Sequence, residues 1–226
     1  MNGRLIVIES GSDGSGKATQ SRLLFERLLK DNYKVKKVEF PNYRSGSSEI
    51  IKMYLNGNFG KKPEDVNAYA ASTFYAVDRF ASYKMEWQHF YSQGGIVIAD
   101  RYTTSNMVHQ ASKIDNIDER DKFLDWLCNL EYDLYGLPKP DCVLFLDMPP
   151  KYSAKLMEKR LNKFTGKKEK DIHENNCEYL MKCYKNSIYI AEKYGWNRVK
   201  CIENGKIANV EKIHDNIYKM VQKYIK

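Results

Sequence analysis

The sequence lacks any apolar run near the length of about 18 residues that a membrane-spanning helix needs. Its first ten residues do not read as a signal peptide, because the apolar stretch is short and glycines follow it. The five cysteines are scattered and odd in number, and none has CxxC spacing, which argues against a disulfide framework or a zinc site. We therefore expect a cytoplasmic protein with reduced thiols and no membrane partner.

No internal repeat, linker or low-complexity segment divides the 226 residues. This length suits one α/β domain with a sizeable core, so we expect a single domain over residues 1–226. The net charge of +8 fits an anionic partner. The lysines are spread over most of the predicted helices, which favours a lysine-rich surface around a phosphate pocket over a nucleic-acid-binding surface. We expect no nucleic-acid partner.

Short apolar runs alternate with segments of helical periodicity along the chain. This alternation predicts an α/β fold in three layers, with a central five-stranded parallel sheet flanked by helices. Ligands bind such sheets at the carboxyl ends of the strands. The predicted strands are residues 4–9, 35–40, 96–99, 142–146 and 199–202. The predicted helices are residues 16–30, 49–55, 63–92 (one helix or two in sequence), 105–112, 118–132, 150–161, 173–194 and from 210 onward.

The strongest local signal is Leu5–Gln20, where an apolar strand, a glycine-rich turn and a helix start follow one another. Glycine lets backbone N–H groups turn inward, and the helix directs its positive dipole end to the same place. The spacing of Gly11, Gly16 and Lys17 matches the P-loop pattern, which cradles a polyphosphate. A glycine-rich turn without a ligand is the less favoured alternative.

Five stretches together resemble the thymidylate kinases, a family of P-loop nucleoside monophosphate kinases. The likeness covers essentially the whole chain. A loop reading Asp-Gly-Ser-Gly-Lys, followed much later by Asp-Arg-Tyr, is more specific than a P-loop alone. In chain order the stretches are Gly11–Lys17, Phe40-Pro41, Phe74–Arg79, Asp100–Gln110 and Asp147–Pro150.

The resemblance implies a P-loop NTPase fold and ATP-dependent phosphorylation of dTMP to dTDP in dTTP biosynthesis. It also implies Mg²⁺ as cofactor and a homodimer. Two alternatives stay open: a kinase for another deoxynucleoside or nucleoside monophosphate, and a non-catalytic nucleotide-binding protein. The amide side chains expected at the base argue against a purine acceptor.

On the donor side, the resemblance implies that the P-loop binds ATP and that Lys17 is catalytic. Where the pattern normally has Ser or Thr for Mg²⁺, this chain has Ala18. The metal must then be held by ATP oxygens, water and a carboxylate, and we expect Asp100 rather than Glu9 to position a metal-bound water. The expected ATP-binding residues are Gly11, Ser12, Asp13, Gly14, Ser15, Gly16, Lys17, Ala18 and Thr19.

Charged residues define the expected acceptor-phosphate site. Asp13 is a carboxylate inside an anion-binding loop, which makes sense if it accepts a hydrogen bond from a hydroxyl of a second substrate. The resemblance implies the 3′-OH of the nucleoside monophosphate; a solvated or helix-capping Asp is the alternative. Guanidinium groups bind phosphate oxygens bidentately. The resemblance places Arg79 and Arg101 on the acceptor phosphate and makes Asp13 and Arg101 catalytic, although a lone helical arginine is usually a surface residue.

The resemblance also implies a base and sugar pocket. Tyr75 would stack on thymine, although two core aromatics on a helix are the commoner outcome for a Phe-Tyr pair. Asn106 and Gln110 have amides that suit the imide edge of thymine. His109 stands where the family usually has Tyr or Phe beside the sugar, and a structural histidine is the alternative. Phe40 and Arg44 belong to the loop that approaches the acceptor phosphate.

A lysine-rich connector at residues 160–172 resembles a lid that closes on ATP. Family members carry a catalytic arginine either in the P-loop or in this lid. Gly14 follows Asp13 in this P-loop, so the charge should come from the lid. Arg160 is its only arginine, and a solvated lysine-rich loop is the alternative.

Overall fold

The computed structural model describes residues 3–157 and 177–225, and its centre is a five-stranded, all-parallel sheet. The strands are β1 (Arg4–Ser10), β2 (Val35–Glu39), β3 (Ile96–Asp100), β4 (Cys142–Asp147) and β5 (Asn197–Lys200). Their order across the sheet is β2-β3-β1-β4-β5. Every residue of β3 is buried, as expected for a strand covered by helices on both faces. The prediction of a central five-stranded parallel sheet flanked by helices is confirmed.

Helices cover both faces of this sheet. None of the described helices combines the length and the apolar character that crossing a membrane requires. The helices are α1 (Lys17–Lys30), α2 (Glu49–Leu55), α3 (Ala68–Ser82), α4 (Gln88–Ser92), α5 (Thr103–His109), α6 (Ile117–Cys128), α7 (Pro150–Met157), α8 (Cys177–Lys193) and α9 (Val210–Ile225).

Alternate residues of β1 pack into two separate hydrophobic cores, because successive side chains of a strand point to opposite faces of the sheet. Ile6 and Ile8 pack in one cluster with apolar residues of α1 and α9. Leu5 and Val7 pack in another cluster, which is rich in aromatic side chains such as Trp87. The sheet is therefore the middle of three layers.

The strand register aligns the carboxyl ends that carry the motifs. Ile8 of β1 and Glu39 of β2 both lie opposite Asp100 of β3, and Ser10 lies opposite Leu146 of β4. Consequently the P-loop, the residues after β3 and the end of β4 open onto one edge of the sheet.

Several predicted boundaries were wrong. The fifth strand occupies Asn197–Lys200, and Ile202 instead begins a two-stranded hairpin of β6 (Ile202–Glu203) and β7 (Lys206–Ile207). An Asn-Gly pair with positive φ at both residues makes its turn. The helix predicted at 105–112 is α5, which begins two residues earlier.

Two π-helical turns continue helices of the regular α type. Tyr83–Trp87 joins α3 to α4, so the predicted 63–92 segment contains a nearly continuous helix from residue 68. Asn129–Leu134 continues α6. Such turns place side chains at angles that a regular helix does not offer.

Candidate active site

The loop between β1 and α1 has the backbone that its glycines predict. Gly14 and Gly16 have φ of +73° and +93°, in the left-handed region that favours glycine. A Cβ on Gly14 would also lie 2.6 Å from Cγ of Met157. Gly16 directly precedes Lys17, the first residue of α1. The positive end of this helix therefore faces the carboxyl end of β1, an arrangement that suits a phosphate.

The side chain of Lys17 is buried against the loop and is hydrogen-bonded to it. Its Nζ donates to Oγ of Ser10 at 2.6 Å and to the carbonyl oxygen of Ser12 at 3.1 Å. Oγ of Ser15 also donates to Oγ of Ser10, at 2.8 Å. Ser10 was missing from the sequence-predicted site, and its only signal was its place directly before Gly11. A phosphate bound by this ammonium would have to replace these contacts.

The surroundings of Lys17 make its charge less stable. Burial, followed by the positive charge of Arg101, lowers the pKa of Lys17 to about 8. The carboxylate of Asp13, whose Oδ1 lies 3.8 Å from Nζ, acts in the opposite direction. Lys17 therefore titrates within the range of ordinary assay conditions.

Arg101 connects the end of β3 to the P-loop. Its Nη2 donates to Oδ1 of Asp13, and its Nη1 lies 3.2 Å from Nε2 of His109 and 3.8 Å from Oε1 of Glu9. Burial alone would lower the pKa of Arg101, but the carboxylates of Asp13, Glu9 and Asp100 raise it overall. Arg101 stays charged, and its φ of 69° is unusual for a residue with a side chain.

Glu9, near Arg101, accepts hydrogen bonds from both β1 and α5. It is fully buried, and its Oε2 accepts from Oγ1 of Thr104 at 2.8 Å and from Oγ of Ser105 at 2.6 Å. Its Oε1 accepts from the backbone N–H of Ser10 at 2.9 Å. Sequence reasoning identified Glu9 only as a nearby carboxylate, because its partners lie 95 and 96 residues away. Glu9 fixes β1 to the start of α5.

Arg79 is buried in an ion pair of its own. Its Nε and Nη2 each donate to Glu131 at 2.6 Å, and its Nη1 donates to the carbonyl oxygen of Tyr102 at 3.3 Å. The alternative of a surface arginine is therefore wrong. Its predicted contact with the acceptor phosphate stays a prediction.

The aromatic and loop residues of the predicted acceptor pocket differ in their burial and in their neighbours. Tyr75 on α3 is half-buried, and its ring meets that of Tyr54 edge-on at 6.5 Å. Phe40 is buried against the ring of Tyr102, at 5.9 Å, and precedes a cis-proline. Arg44 is exposed on the following loop. Stacking on a base stays a prediction for Tyr75, as does phosphate contact for Arg44.

Asn106 and Gln110 are both buried on the segment that begins with α5. Nδ2 of Asn106 donates to the carbonyl oxygen of Ser72 on α3, at 3.2 Å. Among the described residues, no donor reaches Oε1 of Gln110. A buried acceptor without a partner costs about 1–3 kcal/mol. A ligand N–H at this position would compensate that cost.

Some residues near the P-loop are suited to hold a hydrated divalent cation, and others are not. Ala18 and Thr19 are exposed on the first turn of α1, and Ala18 offers no oxygen. Glu9 is already engaged by three donors. Within the described part of the chain, no hydrogen-bond donor holds the buried carboxylate of Asp100. Asp100 is thus the carboxylate that fits a metal-bound water, since Mg²⁺ keeps several waters and prefers oxygen ligands.

Two further predictions concern the lid segment and Asp147. The lid at residues 160–172, with Arg160, lies outside the described residues. Asp147 lies at the expected strand end, but its carboxylate accepts from the hydroxyl of Tyr184 at 2.8 Å and from Nε of Arg198 at 2.9 Å. Asp147 therefore stabilises β5 against β4.

Known proteins resemble the chain over nearly its full length. A thymidylate kinase of Plasmodium falciparum is 28% identical over 221 residues, covering 98% of this chain and 90% of the relative. A probable thymidylate kinase of Thermococcus onnurineus is 31% identical, with 96% of each chain covered. The solved structure of a Candida albicans thymidylate kinase has the same fold, with a TM-score of 0.73 at 22% identity, and the match covers 100% of this chain and 94% of that one.

A model of a protein family matches most of the chain. The model described as thymidylate kinase matches residues 8–199, which include the P-loop, Arg79, Arg101 and the end of β4. The chain therefore belongs to the thymidylate kinase family of phosphotransferases, the kinases that phosphorylate dTMP.

Proposed function

We propose that this chain transfers the γ-phosphoryl group of ATP to dTMP and releases dTDP and ADP. The observation that carries the proposal is the contact between Asp13 and Arg101. It joins the donor loop to the residue that the family resemblance places on the acceptor phosphate. A single connected cluster of charges thus serves both substrates.

The reaction needs positioning and charge more than a general base. The attacking group is a phosphate oxygen of dTMP, which is already anionic at neutral pH. Lys17 would balance charge on the donor phosphates, and Arg101 would hold the acceptor phosphate in line with them. Asp13 orients both cations, because its carboxylate contacts Arg101 and lies 3.8 Å from Nζ of Lys17. It also accepts the 3′-OH of the acceptor in this proposal.

We assign the specificity for thymine to α3 and to the segment that begins with α5. Tyr75 would stack on the base, and Asn106 and Gln110 would meet its imide edge. The unpartnered acceptor on Gln110 supports this assignment, since the N3–H of thymine is a donor. His109 would lie beside the sugar, and its ring nitrogen near Arg101 keeps it in the same cluster. Phe40, Arg44 and Arg79 complete the proposed acceptor pocket.

Mg²⁺ would arrive with ATP, and Asp100 would hold one of its waters. The ion supplies charge to the transferring phosphoryl group when it is bound. Arg160 in the lid segment would add the remaining positive charge.

A coupled assay of ADP formation tests the activity. We expect Mg²⁺-dependent turnover with dTMP, weaker turnover with dUMP, and little with dCMP, dGMP or thymidine. Rapid turnover with another acceptor and none with dTMP would establish a sister kinase. ATP binding without turnover of any acceptor would indicate a non-catalytic protein.

The assembly and location are part of the same proposal. We propose a homodimer through α3, where Val77 and Phe80 are exposed at 45% and 37% on one side of the helix. Met85 and Leu134 are further exposed apolar side chains, at 82% and 71%. The cysteines whose side chains are described are all free thiols, which supports a cytoplasmic location. No nucleic-acid or membrane partner is proposed.

A further inference from the structure

Glu131 lies outside the P-loop and was not singled out from the sequence. It belongs to the π-helical turn Asn129–Leu134 and is fully buried. Turns of this kind are rare, and they occur frequently at functional sites. A buried carboxylate without partners is strongly unfavourable, so its contacts account for its presence.

Those contacts are short and come from two directions. Nε and Nη2 of Arg79 both donate to Glu131 at 2.6 Å, a bidentate pair in which neither side chain is more than 1% exposed. Oγ1 of Thr103 donates to Oε2 of Glu131 at 2.7 Å. The carboxylate therefore ties α3 to the first residue of α5.

The two partners of Glu131, Arg79 and Thr103, both hold the backbone that directly follows Arg101. Nη1 of Arg79 donates to the carbonyl oxygen of Tyr102, and Thr103 is the next residue. Arg101 itself has a φ of 69°, which a residue with a side chain adopts only when its neighbours hold it there. Glu131 thus fixes the residues on one side of Arg101, and the pairing of Phe40 N–H with the Asp100 carbonyl oxygen at 3.0 Å holds the other side.

The pair also determines how Arg79 can meet a ligand. A guanidinium has five N–H donors in a fixed plane. Glu131 takes the edge formed by Nε and Nη2, and Tyr102 takes one donor of Nη1. The remaining donors are one each on Nη1 and Nη2, so any contact of Arg79 with the acceptor is made by the end of its side chain.

We propose that Glu131 is a positioning residue for the acceptor site: through Arg79 and Thr103 it fixes the loop that carries Arg101 against the helix that carries Tyr75. The inference rests on the proposed function, because it takes Arg101 and Tyr75 to be acceptor ligands. It predicts an effect on dTMP that is not shared by ATP.

Isosteric variants test this role. Glu131→Gln keeps the shape but puts a donor against Arg79 or Thr103, and Thr103→Val removes one hydrogen bond at constant volume. We expect Glu131→Gln to raise the KM for dTMP at least tenfold and Thr103→Val to raise it two- to fivefold. The KM for ATP should stay within twofold in both. Arg79→Lys combined with Glu131→Gln should cost less than the product of the single effects, because the two residues act as a unit.

The control separates positioning from general loss of stability. Ile217→Ala removes core packing on α9, on the opposite face of the sheet, and should lower the Tm while leaving the KM for dTMP unchanged. If Glu131→Gln lowers the Tm in the same way without changing the KM for dTMP relative to ATP, the inference is overturned. If Glu131→Gln does not fold, Thr103→Val decides on the same criterion. Absence of dTMP turnover by the unmodified protein would instead overturn the proposed function.

Discussion

Arg101 and Asp13 are paired across the space between the end of β3 and the P-loop. Because the same carboxylate lies 3.8 Å from Nζ of Lys17, it separates two cations that would otherwise repel each other. We expect Asp13→Asn to lower kcat/KM for dTMP by at least tenfold, since the amide keeps the size but cannot balance the charges. Steady-state kinetics check this.

A surface carboxylate provides the comparison for Asp13. Asp133 is more than half exposed and pairs only loosely with Lys139, at 3.9 Å. Such pairs contribute little. Asp133→Asn should therefore leave kcat/KM within twofold. Equal kinetics in Asp13→Asn and Asp133→Asn would contradict the role of Asp13.

The two neighbours Lys17 and Ala18 should respond very differently to substitution. Lys17→Ala removes the buried charge at the donor phosphates and should abolish measurable turnover. Ala18→Thr restores the hydroxyl that the P-loop pattern expects, so activity should stay roughly intact or rise modestly. ADP formation at saturating substrates measures both. A large loss in Ala18→Thr would mean that Asp100 and water do not hold the metal as proposed.

The lowered pKa of Lys17 predicts a pH dependence of donor binding. The unliganded ammonium loses its proton as the pH rises through about 8, and a polyphosphate binds the protonated form better. Affinity for a non-hydrolysable ATP analogue should thus be constant near pH 7 and fall above pH 8, by up to about tenfold per pH unit. Calorimetric titration of the analogue measures this. Lys17→Ala should bind weakly at all pH values without this slope.

Tyr75 is expected to act through its ring. Stacking of a base on an aromatic side chain contributes about 1–3 kcal/mol, so Tyr75→Ala should raise the KM for dTMP about 5-fold to 150-fold. Tyr75→Phe should change it little. Tyr75→Leu, which fills the space without a ring, distinguishes stacking from packing. Restoration of the KM by Leu would favour the core-packing alternative.

The apolar surface on α3 predicts an oligomeric state. The unmodified chain should sediment at twice its mass of 26.5 kDa, and Val77→Asp combined with Phe80→Glu should give a monomer. Leu29→Asp, on α1 at the other face of the sheet, should remain dimeric, although Leu29 is similarly exposed at 47%. Sedimentation equilibrium decides the question. A monomeric unmodified chain would exclude the proposed interface.

The fold was accessible from the sequence because its strands are short, unbroken apolar runs. The runs beginning at Leu5, Ile96 and Cys142 coincide with β1, β3 and β4. The weak fifth strand was misplaced by two residues, since β5 is an exposed edge with a single buried side chain. The hairpin after it could have been found from Asn204-Gly205, which is a strong signal for a tight turn.

The site was predictable where residues follow strands, and hidden where partners are distant. Asp13 and Arg101 each follow a strand, so their meeting at one edge of the sheet was foreseeable. Arg79 and Glu131 are 52 residues apart, and Glu131 lies in a turn whose geometry no local pattern indicates. The contacts of Ser10 and Glu9 were likewise hidden, since they depend on how the loop closes.

The electrostatic balance of the charged cluster has a consequence for the form in which ATP can bind. Among the described residues of this cluster, the cations Lys17, Arg79 and Arg101 are outnumbered by the carboxylates of Asp13, Glu9, Asp100 and Glu131. A cluster with more anions than cations attracts a bare phosphate poorly. Magnesium lowers the negative charge of ATP, so the magnesium complex should bind this cluster more tightly than free ATP does.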